Sequence, residues 1–124
     1  MKKLLFIVLM IPLLAIASNW VYVGKASNSN TFFIDNQSIS RSGDSVTFWV
    51  KTNYASRDSY GDLSSKINQT INCRTRELIH RYFMFYDDLD NKGKLTISTA
   101  PPSPTWEPIA PDTVNELLLK FVCR

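Results

Sequence analysis

Apolar and polar residues alternate in short runs from residue 20 onward, a pattern typical of β-strands that are separated by polar turns. Two of these runs, 46–54 and 66–73, alternate regularly and place Trp49, Lys51 and Lys66 on the polar sides of their strands. A later run also fits an amphipathic helix, but its density of aromatic side chains favours a strand. The pattern predicts six strands: residues 20–23, 31–35, 46–54, 66–73, 74–87 (the ambiguous run) and 94–98.

The end of the chain, residues 112–124, predicts a helix, because its apolar side chains recur at helical spacing on one face: Val114, Leu117, Leu118, Phe121 and Val122. Asp112 follows Pro111, and its carboxylate is expected to cap the helix by accepting hydrogen bonds from the free amides of the first turn. A helix this short needs tertiary packing to be stable. The predicted fold class is α+β, an antiparallel sheet of about six strands with one C-terminal helix on it.

Three connections complete this outline. Residues 55–63 have no apolar period and form the longest irregular stretch. Residues 90–93 indicate a hairpin turn into the last strand, in which we expect Leu95 and Ile97 to face the core. Prolines between residues 101 and 108 predict an extended crossover around Trp106, which delivers the chain to the helix.

The N-terminus has the pattern of a cleaved secretory signal peptide over residues 1–17. Two lysines come first, an apolar run covers 4–14, and small residues at positions 15 and 17 suit a cleavage site. We therefore expect a single mature domain over residues 18–124. Because no cysteine follows the apolar run, we expect no lipid or membrane anchor after cleavage. The protein should then be periplasmic or secreted rather than held at the cell surface.

Export makes the cysteines informative, because exported proteins commonly form disulfides and this chain has Cys73 and Cys123 with none left over. A Cys73–Cys123 bond would clamp the predicted helix onto the sheet. Closing a loop of about 50 residues corresponds to about 4 kcal/mol in the chain-entropy model. A redox-active pair is the alternative, although the C-x-x-C spacing typical of such pairs is absent.

Charge gives no support for a nucleic-acid partner. The full chain has a formal net charge of +3, from 14 Lys and Arg against 11 Asp and Glu. Removal of the two lysines of the signal peptide leaves 12 basic residues against the same 11 acidic ones, a net charge of +1. A nucleic-acid-binding domain usually carries a clear basic excess. We therefore expect no nucleic-acid partner.

The residue types that build catalytic or metal sites are scarce. His80 is the only histidine, and the cysteines are expected to be bonded to each other, so neither a metal cluster nor a catalytic triad is indicated. Residues 88–93 resemble the start of a calcium loop, but lysine and threonine occupy two of its ligand positions. Haem ligation by His80 with Met84 on the same strand face is conceivable, without support from their spacing. We expect no enzyme, no metal and no cofactor.

Binding is the remaining class of function. Three Trp, seven Phe and five Tyr are many for a chain of 124 residues, and we expect most of them in the core of so small a domain. Trp49, on the polar side of its strand, could instead mark a recognition surface. Tyr54, Arg57 and Tyr60 flank or occupy the longest loop, and Tyr and Arg are enriched at protein interfaces. These four residues are the candidate binding site, with a solvated loop as the alternative.

The order of several signature residues resembles the bacterial surface-adhesin protein E family. The resemblance runs from Trp20 to Cys123 through Phe33-x-Asp35-x-x-Ser38-Ile39-x-Arg41-x-Gly43, Val46-x-x-Trp49, Asn72-Cys73, Trp106-x-x-Ile109-x-Pro111 and Val122-Cys123. It implies a bent antiparallel sheet with a C-terminal helix tethered by the disulfide. It also implies a non-enzymatic protein that binds host matrix proteins such as vitronectin and laminin, can bind haem and forms homodimers. Envelope proteins are the other expected partners. A periplasmic carrier of haem or another small ligand is the alternative function.

Overall fold

A computed structural model describes residues 17–124 of the protein. The predicted signal peptide, residues 1–17, lies outside the described residues except for its last position. Within the described range the chain forms eight strands and one α-helix: β1 (Trp20–Lys25), β2 (Thr31–Asp35), β3 (Ser40–Ser42), β4 (Ser45–Asn53), β5 (Ser64–Asn72), β6 (Glu77–Tyr86), β7 (Leu95–Thr99), β8 (Glu107–Pro108) and α1 (Val114–Val122). Short 3-10 helices lie at Asn36–Ser38 and Leu89–Asn91.

The strands form one antiparallel sheet in the order β1-β2-β4-β5-β6-β7. These are the six predicted strands, and the ambiguous run 74–87 is a strand, β6, as its aromatic content favoured. The two additional strands are short: β3 pairs with β4, and β8 pairs with β6. β3 lies between the predicted strands 31–35 and 46–54, where no strand was predicted, and β8 lies at the end of the predicted proline-rich crossover. The α+β prediction is confirmed.

The core lies between one side of the sheet and α1. Alternate residues of β4 point into it, as the sequence pattern predicted, because side chains of a strand alternate between the two sides of a sheet. The buried apolar residues of this core come from four strands, the segment after β8, and the helix: Ile34, Val46, Phe48, Val50, Ile71, Leu78, Ile109, Leu118, Leu119 and Val122. The opposite side of the sheet, which has no helix on it among the described residues, is called the helix-free face below.

Two connections hold the end of α1 on the sheet. Cys73 directly follows β5 and forms a disulfide with Cys123, which confirms the predicted bond. Arg41, on β3, donates a hydrogen bond through its guanidinium to the carbonyl oxygen of Val122. The last carbonyl groups of a helix have no partner within the helix and carry partial negative charge, so a guanidinium is a favourable partner there.

The start of α1 differs from the prediction, because Thr113 and not Asp112 caps it. The Thr113 side chain accepts a hydrogen bond from the amide of Glu116. The Glu116 carboxylate accepts in turn from the amide of Asp112, which lies outside the helix with a φ of 60°. A threonine followed three residues later by glutamate is a recognised helix-start signal, and here it overrides the neighbouring aspartate.

The predicted apolar face of the helix is correct only in part. Leu118 and Val122 are buried, whereas Leu117 is 41% exposed and Leu119, which was not predicted, is buried. Leu117 lies over Gly24 of the edge strand β1, with its Cδ1 atom only 2.9 Å from the place that a Cβ of residue 24 would occupy. This position at the rim of the sheet explains why Leu117 remains half open to solvent.

The expectation that Leu95 and Ile97 face the core is wrong, since they are 41% and 39% exposed. The reason is topological. β7 is the last strand of the sheet and has only β6 as a neighbour within residues 17–124. The core cluster that α1 covers lies on other strands and on the segment after β8. Alternation in a strand predicts two different sides, but it does not predict which part of a side a single helix can cover.

The disulfide should contribute a large part of the stability. Replacing both cysteines, Cys73→Ala with Cys123→Ala, should lower the free energy of unfolding by about 2–4 kcal/mol, because the unfolded chain would no longer be cross-linked. Guanidinium unfolding followed by circular dichroism measures this change. Reduction of the unmodified protein serves as the control, since it breaks the bond and keeps both side chains. Equal stability of oxidised and reduced protein would contradict the prediction.

Gly93 and Gly43 test the turns that position β7 and β4. Both have positive φ, 74° and 59°, but a Cβ at Gly93 would collide with Asp87 and Asp88, whereas nothing lies within 4 Å of one at Gly43. Gly43→Ala should cost only the backbone term of about 1 kcal/mol. Gly93→Ala should cost at least about 1 kcal/mol more from steric overlap. Thermal unfolding compares the two, and equal losses would show that the turn at Gly93 relaxes freely.

Candidate functional site

Two surfaces of the described structure carry candidate binding residues. The first is the helix-free face, with Trp20, Phe33, Trp49, Lys51 and Lys66. The second is the loop over residues 54–63 between β4 and β5, called the β4–β5 loop. Neither surface is covered by another layer of the fold.

Register places two lysines next to each other in the middle of the helix-free face. Phe33 pairs with Lys51, Lys51 pairs with Lys66, and Lys66 pairs with Met84, so the four side chains form one row across β2, β4, β5 and β6. Like charges directly opposite each other on neighbouring strands are destabilising. The row therefore requires groups that offset the repulsion between Lys51 and Lys66.

The positive charge of Lys51 is balanced by a carboxylate and two aromatic rings. Its side chain is only 9% exposed, and its Nζ lies 3.3 Å from a carboxylate oxygen of Asp90. The same ammonium lies 5.0 Å from the ring centre of Trp20 and 4.8 Å from that of Phe33, distances that suit cation–π contacts. The Asn53 side-chain amide, which donates to Asp90, and the Lys51 ammonium lower the pKa of the Asp90 carboxyl. Asp90 therefore stays ionised and neutralises Lys51.

The positive charge of Lys66 is stabilised only by aromatic rings among the described residues. Its Nζ lies 4.8 Å from the ring centre of Trp49 and 6.0 Å from that of Trp20. None of the four ion pairs found among residues 17–124 involves Lys66. The helix-free face therefore presents a half-buried ammonium, set between two indole rings, whose charge has no carboxylate partner within 4 Å.

Most aromatic side chains do not lie in the core, contrary to the expectation from composition. Phe48 is the one aromatic residue among the described residues that is fully buried. The others are half-buried or exposed, and several of them, such as Trp20, Phe33 and Trp49, cover the helix-free face. A sheet with a helix on one side alone must protect its second side with its own large side chains, and aromatic residues give the most coverage per residue.

The structure separates the four residues that the sequence suggested as a binding site. Trp49 points to the helix-free face, whereas Tyr54 continues the alternation of Val50 and Thr52 on the side that faces the helix. Burial raises the pKa of the Tyr54 hydroxyl, and the nearby carboxylates of the loop act in the same direction. Arg57 and Tyr60 lie in the β4–β5 loop. Trp49 and the loop residues therefore belong to different surfaces.

The β4–β5 loop is braced from within. One nitrogen of the Arg57 guanidinium donates to the carbonyl oxygens of Gly61 and Asp87, both at 2.9 Å. The Asp58 carboxylate accepts from the amides of Tyr60 and Asp62, also at 2.9 Å. Tyr60 at the tip is 82% exposed, the largest exposure of any large apolar or aromatic side chain in the described residues. The loop thus presents one aromatic ring on a backbone that its own side chains hold in place.

His80 and Met84 lie on opposite sides of the sheet, so the idea that one strand face presents both is wrong. The pairing of β5 with β6 shifts register, with Gln69 opposite His80 and Asn68 opposite Tyr82. The extra residue, Arg81, forms a bulge that reverses the alternation along β6. His80 borders a cleft of about 180 Å³ beneath the proline-rich segment. Burial lowers the pKa of His80, and the Glu107 carboxylate acts in the opposite direction.

A metal-ligand cluster and a membrane-spanning helix are both absent from residues 17–124. No three His, Cys, Asp or Glu side chains in this range come together as metal ligands would. In the same range no helix has both the length and the apolar character that crossing a membrane requires.

The sequence pattern missed the role of Lys51, Lys66, Trp20 and Phe33. It placed both lysines on the polar sides of their strands, which is correct. What it lacked was the register, since only the pairing of Lys51 with Lys66 reveals two adjacent positive charges. The signal that could have found them was a lysine on the polar side of each of two consecutive strands, with Trp49 two residues from Lys51 on the same side of the first.

Comparison with known proteins agrees with this fold. Residues 20–124 match the family model described as surface-adhesin protein E. No curated protein sequence matches the chain. Crystal form II of Haemophilus influenzae protein E is 22% identical, with a TM-score of 0.60 over 82% of this chain and 86% of that one. A selenomethionine form of the same protein is 21% identical, with a TM-score of 0.60 over 86% and 92% of the two chains.

A structure of protein E from non-typeable Haemophilus influenzae is 19% identical, with a TM-score of 0.57 over 86% of this chain and 76% of that one. At these identities the structural likeness concerns the fold. The family match covers the whole described sheet and helix, from Trp20 to the last residue. The chain belongs to the surface-adhesin protein E family.

Proposed function

We propose that the protein is an exported, non-enzymatic binding protein that contacts a protein partner through the tip of the β4–β5 loop. One observation carries the proposal: Tyr60, 82% exposed, stands on a loop that Arg57 and Asp58 hold in place. An ordered loop loses little conformational freedom when it binds, and a tyrosine offers a large contact area with few rotatable bonds. Arg57 acts here as a brace and Tyr60 as the contact.

The partner class follows from the family. A surface-adhesin family supports a partner among host matrix proteins or proteins of the bacterial envelope. We propose that residues 1–17 are removed during export and that the mature chain, residues 18–124, acts in the periplasm or outside the cell. The surface-adhesin family also supports a non-enzymatic role.

Tyr60→Ala should weaken binding to a protein partner about tenfold or more, the effect typical of a central aromatic contact. The melting temperature of the protein should not change, because the Tyr60 side chain is exposed. The measurement is surface plasmon resonance against immobilised vitronectin, immobilised laminin and an envelope protein extract. Tyr22→Ala is the matched control, since Tyr22 is 55% exposed and lies on the helix-free face instead. A protein that binds none of these surfaces, or a Tyr60→Ala variant that binds as tightly as the unmodified chain, would contradict the proposal.

The alternative of a haem or small-ligand carrier has little support from the region around His80. Its cleft of about 180 Å³ is smaller than the roughly 300–1,000 Å³ of typical small-molecule sites. The second possible ligand, Met84, is on the other side of the sheet. His80 instead contacts Phe83, with ring centres 5.4 Å apart, as a packed residue does.

His80 should titrate below its ordinary pKa of about 6.5, because burial disfavours its charged form. The folded state then binds fewer protons than the unfolded state, so the free energy of unfolding should be highest above pH 6.5 and fall as the pH drops through the folded pKa. An NMR titration of the only histidine measures the pKa. Glu107→Gln should lower it further, and His80→Gln should remove this part of the pH dependence. A pKa at or above 6.5 would contradict the prediction.

A further inference from the structure

The helix-free face holds a second cation that has no carboxylate partner. Arg81, the bulge residue of β6, is exposed, and its Nε donates to the hydroxyl of Thr70 at 3.3 Å. The Thr70 hydroxyl also bonds to that of Thr47, at 2.8 Å, which fixes the guanidinium on the helix-free side of β5. None of the ion pairs among residues 17–124 involves Arg81. Neither terminal nitrogen of Arg81 donates a hydrogen bond within residues 17–124, so both remain available as donors.

Lys66 and Arg81 flank a patch of neutral polar and aromatic groups. Lys66 and Thr70, the partner of Arg81, are four residues apart on β5, which corresponds to about 13 Å along a strand. Between them the next row consists of Trp49, Asn68 and Tyr82, which pair across β4, β5 and β6. The strip formed by Lys66, Trp49, Asn68, Tyr82 and Arg81 is called the Lys66–Arg81 strip.

Two acidic side chains of the helix-free face are already engaged, and a third, Glu77, lies at the start of β6, opposite Asn72 and outside the strip. Asp90 pairs with Lys51 at the edge of the face. Asp35 is buried, and its carboxylate accepts from the amides of Asn19 and Gln37. The Lys66–Arg81 strip is therefore positively charged at both ends and neutral in the middle. Its charge pattern complements a ligand with separated negative charges.

We propose that the Lys66–Arg81 strip binds an acidic polysaccharide in which charged sugars alternate with neutral ones. The two cations would each bind a carboxylate, since a lysine and an arginine with free nitrogens are suited to such charge-assisted hydrogen bonds. The neutral sugar between them would contact the half-buried Trp49 indole, over which the Lys66 ammonium lies, and exchange hydrogen bonds with the Asn68 amide and the Tyr82 hydroxyl. The Tyr82 hydroxyl shares a hydrogen bond with the Ser98 hydroxyl at 2.7 Å, which positions it before binding.

This ligand fits better than a nucleic acid. A nucleic-acid strand carries a phosphate about every 3.4 Å, whereas the strip offers one cation at each end of about 13 Å. The chain also lacks the basic excess that nucleic-acid binding requires, with 12 basic against 11 acidic residues after the expected removal of residues 1–17. The inference is independent of the proposed protein partner, because Tyr60 lies in the β4–β5 loop and not on the strip.

The test is titration of the mature chain, residues 18–124, with a hyaluronan hexasaccharide, whose charged and neutral sugars alternate, and with uncharged maltohexaose. Tryptophan fluorescence and the amide NMR signals of β5 and β6 report binding. We expect hyaluronan to shift signals along the strip and maltohexaose to shift none. Trp49→Ala should weaken binding at least fivefold, while Trp106→Ala, which removes a 41% exposed indole elsewhere, should not.

Charge is tested by two double variants with the same change in net charge. Lys66→Gln with Arg81→Gln should reduce affinity at least tenfold, whereas Lys120→Gln with Arg74→Gln, at side chains 67% and 72% exposed away from the strip, should reduce it less than twofold. Melting temperatures confirm that each variant is folded. Equal losses in both double variants would overturn the proposal, because attraction would then be a property of net charge.

Two further outcomes would also overturn it. Binding of a heparin hexasaccharide without binding of hyaluronan would show that dense charge, and not alternation, is recognised. Competition by single-stranded DNA at equal charge concentration would show a general polyanion site. Loss of protein capture in Tyr60→Ala with retained hyaluronan binding separates this inference from the proposed function.

Discussion

The Cys73–Cys123 bond is the constraint on which the rest of the structure depends. A helix of nine residues is not stable alone in water, and α1 is held on the sheet by this bond, by three buried side chains and by Arg41 at its last turn. The single short helix covers one side of the sheet over the strands that contribute the core. The other side has no second layer within the described residues, and its aromatic rings and lysine side chains take over the covering of the strands.

The helix-free face shows how such a sheet protects itself. It cannot be apolar throughout, because a large exposed apolar patch would drive association, and it cannot be simply polar, because the backbone beneath needs shielding. Lysine side chains with their ammonium groups over Trp20, Phe33 and Trp49 satisfy both conditions, since the stems and the rings cover the strands while each ammonium lies against a ring face. The paired lysines repel each other, and Asp90 reduces this repulsion by neutralising Lys51. Lys66 has no such carboxylate among the described residues.

How far the sequence predicts this structure depends on whether a feature is local. The six long strands, the helix and the disulfide were predictable, because alternation, helical spacing and the number of cysteines are properties of the chain itself. The bulge at Arg81 was not, since no residue type marks it, and it reversed the relation between His80 and Met84. The cap was visible in principle as Thr113 with Glu116, but the adjacent Asp112 is an equally good capping residue by type.

The candidate site was harder to predict than the fold for a related reason. Trp49 and Lys66 could each be assigned to the polar side of a strand, but their meeting depends on the register between β4 and β5, which alternation alone leaves free by any even number of residues. Tyr60 was predictable as a loop residue, whereas the bracing of its loop by Arg57 depends on a carbonyl thirty residues later in the chain. The two surfaces therefore differ in physical character. The β4–β5 loop offers one ring on a rigid tip, suited to insertion into a partner, and the helix-free face offers an extended charged strip, suited to a linear ligand.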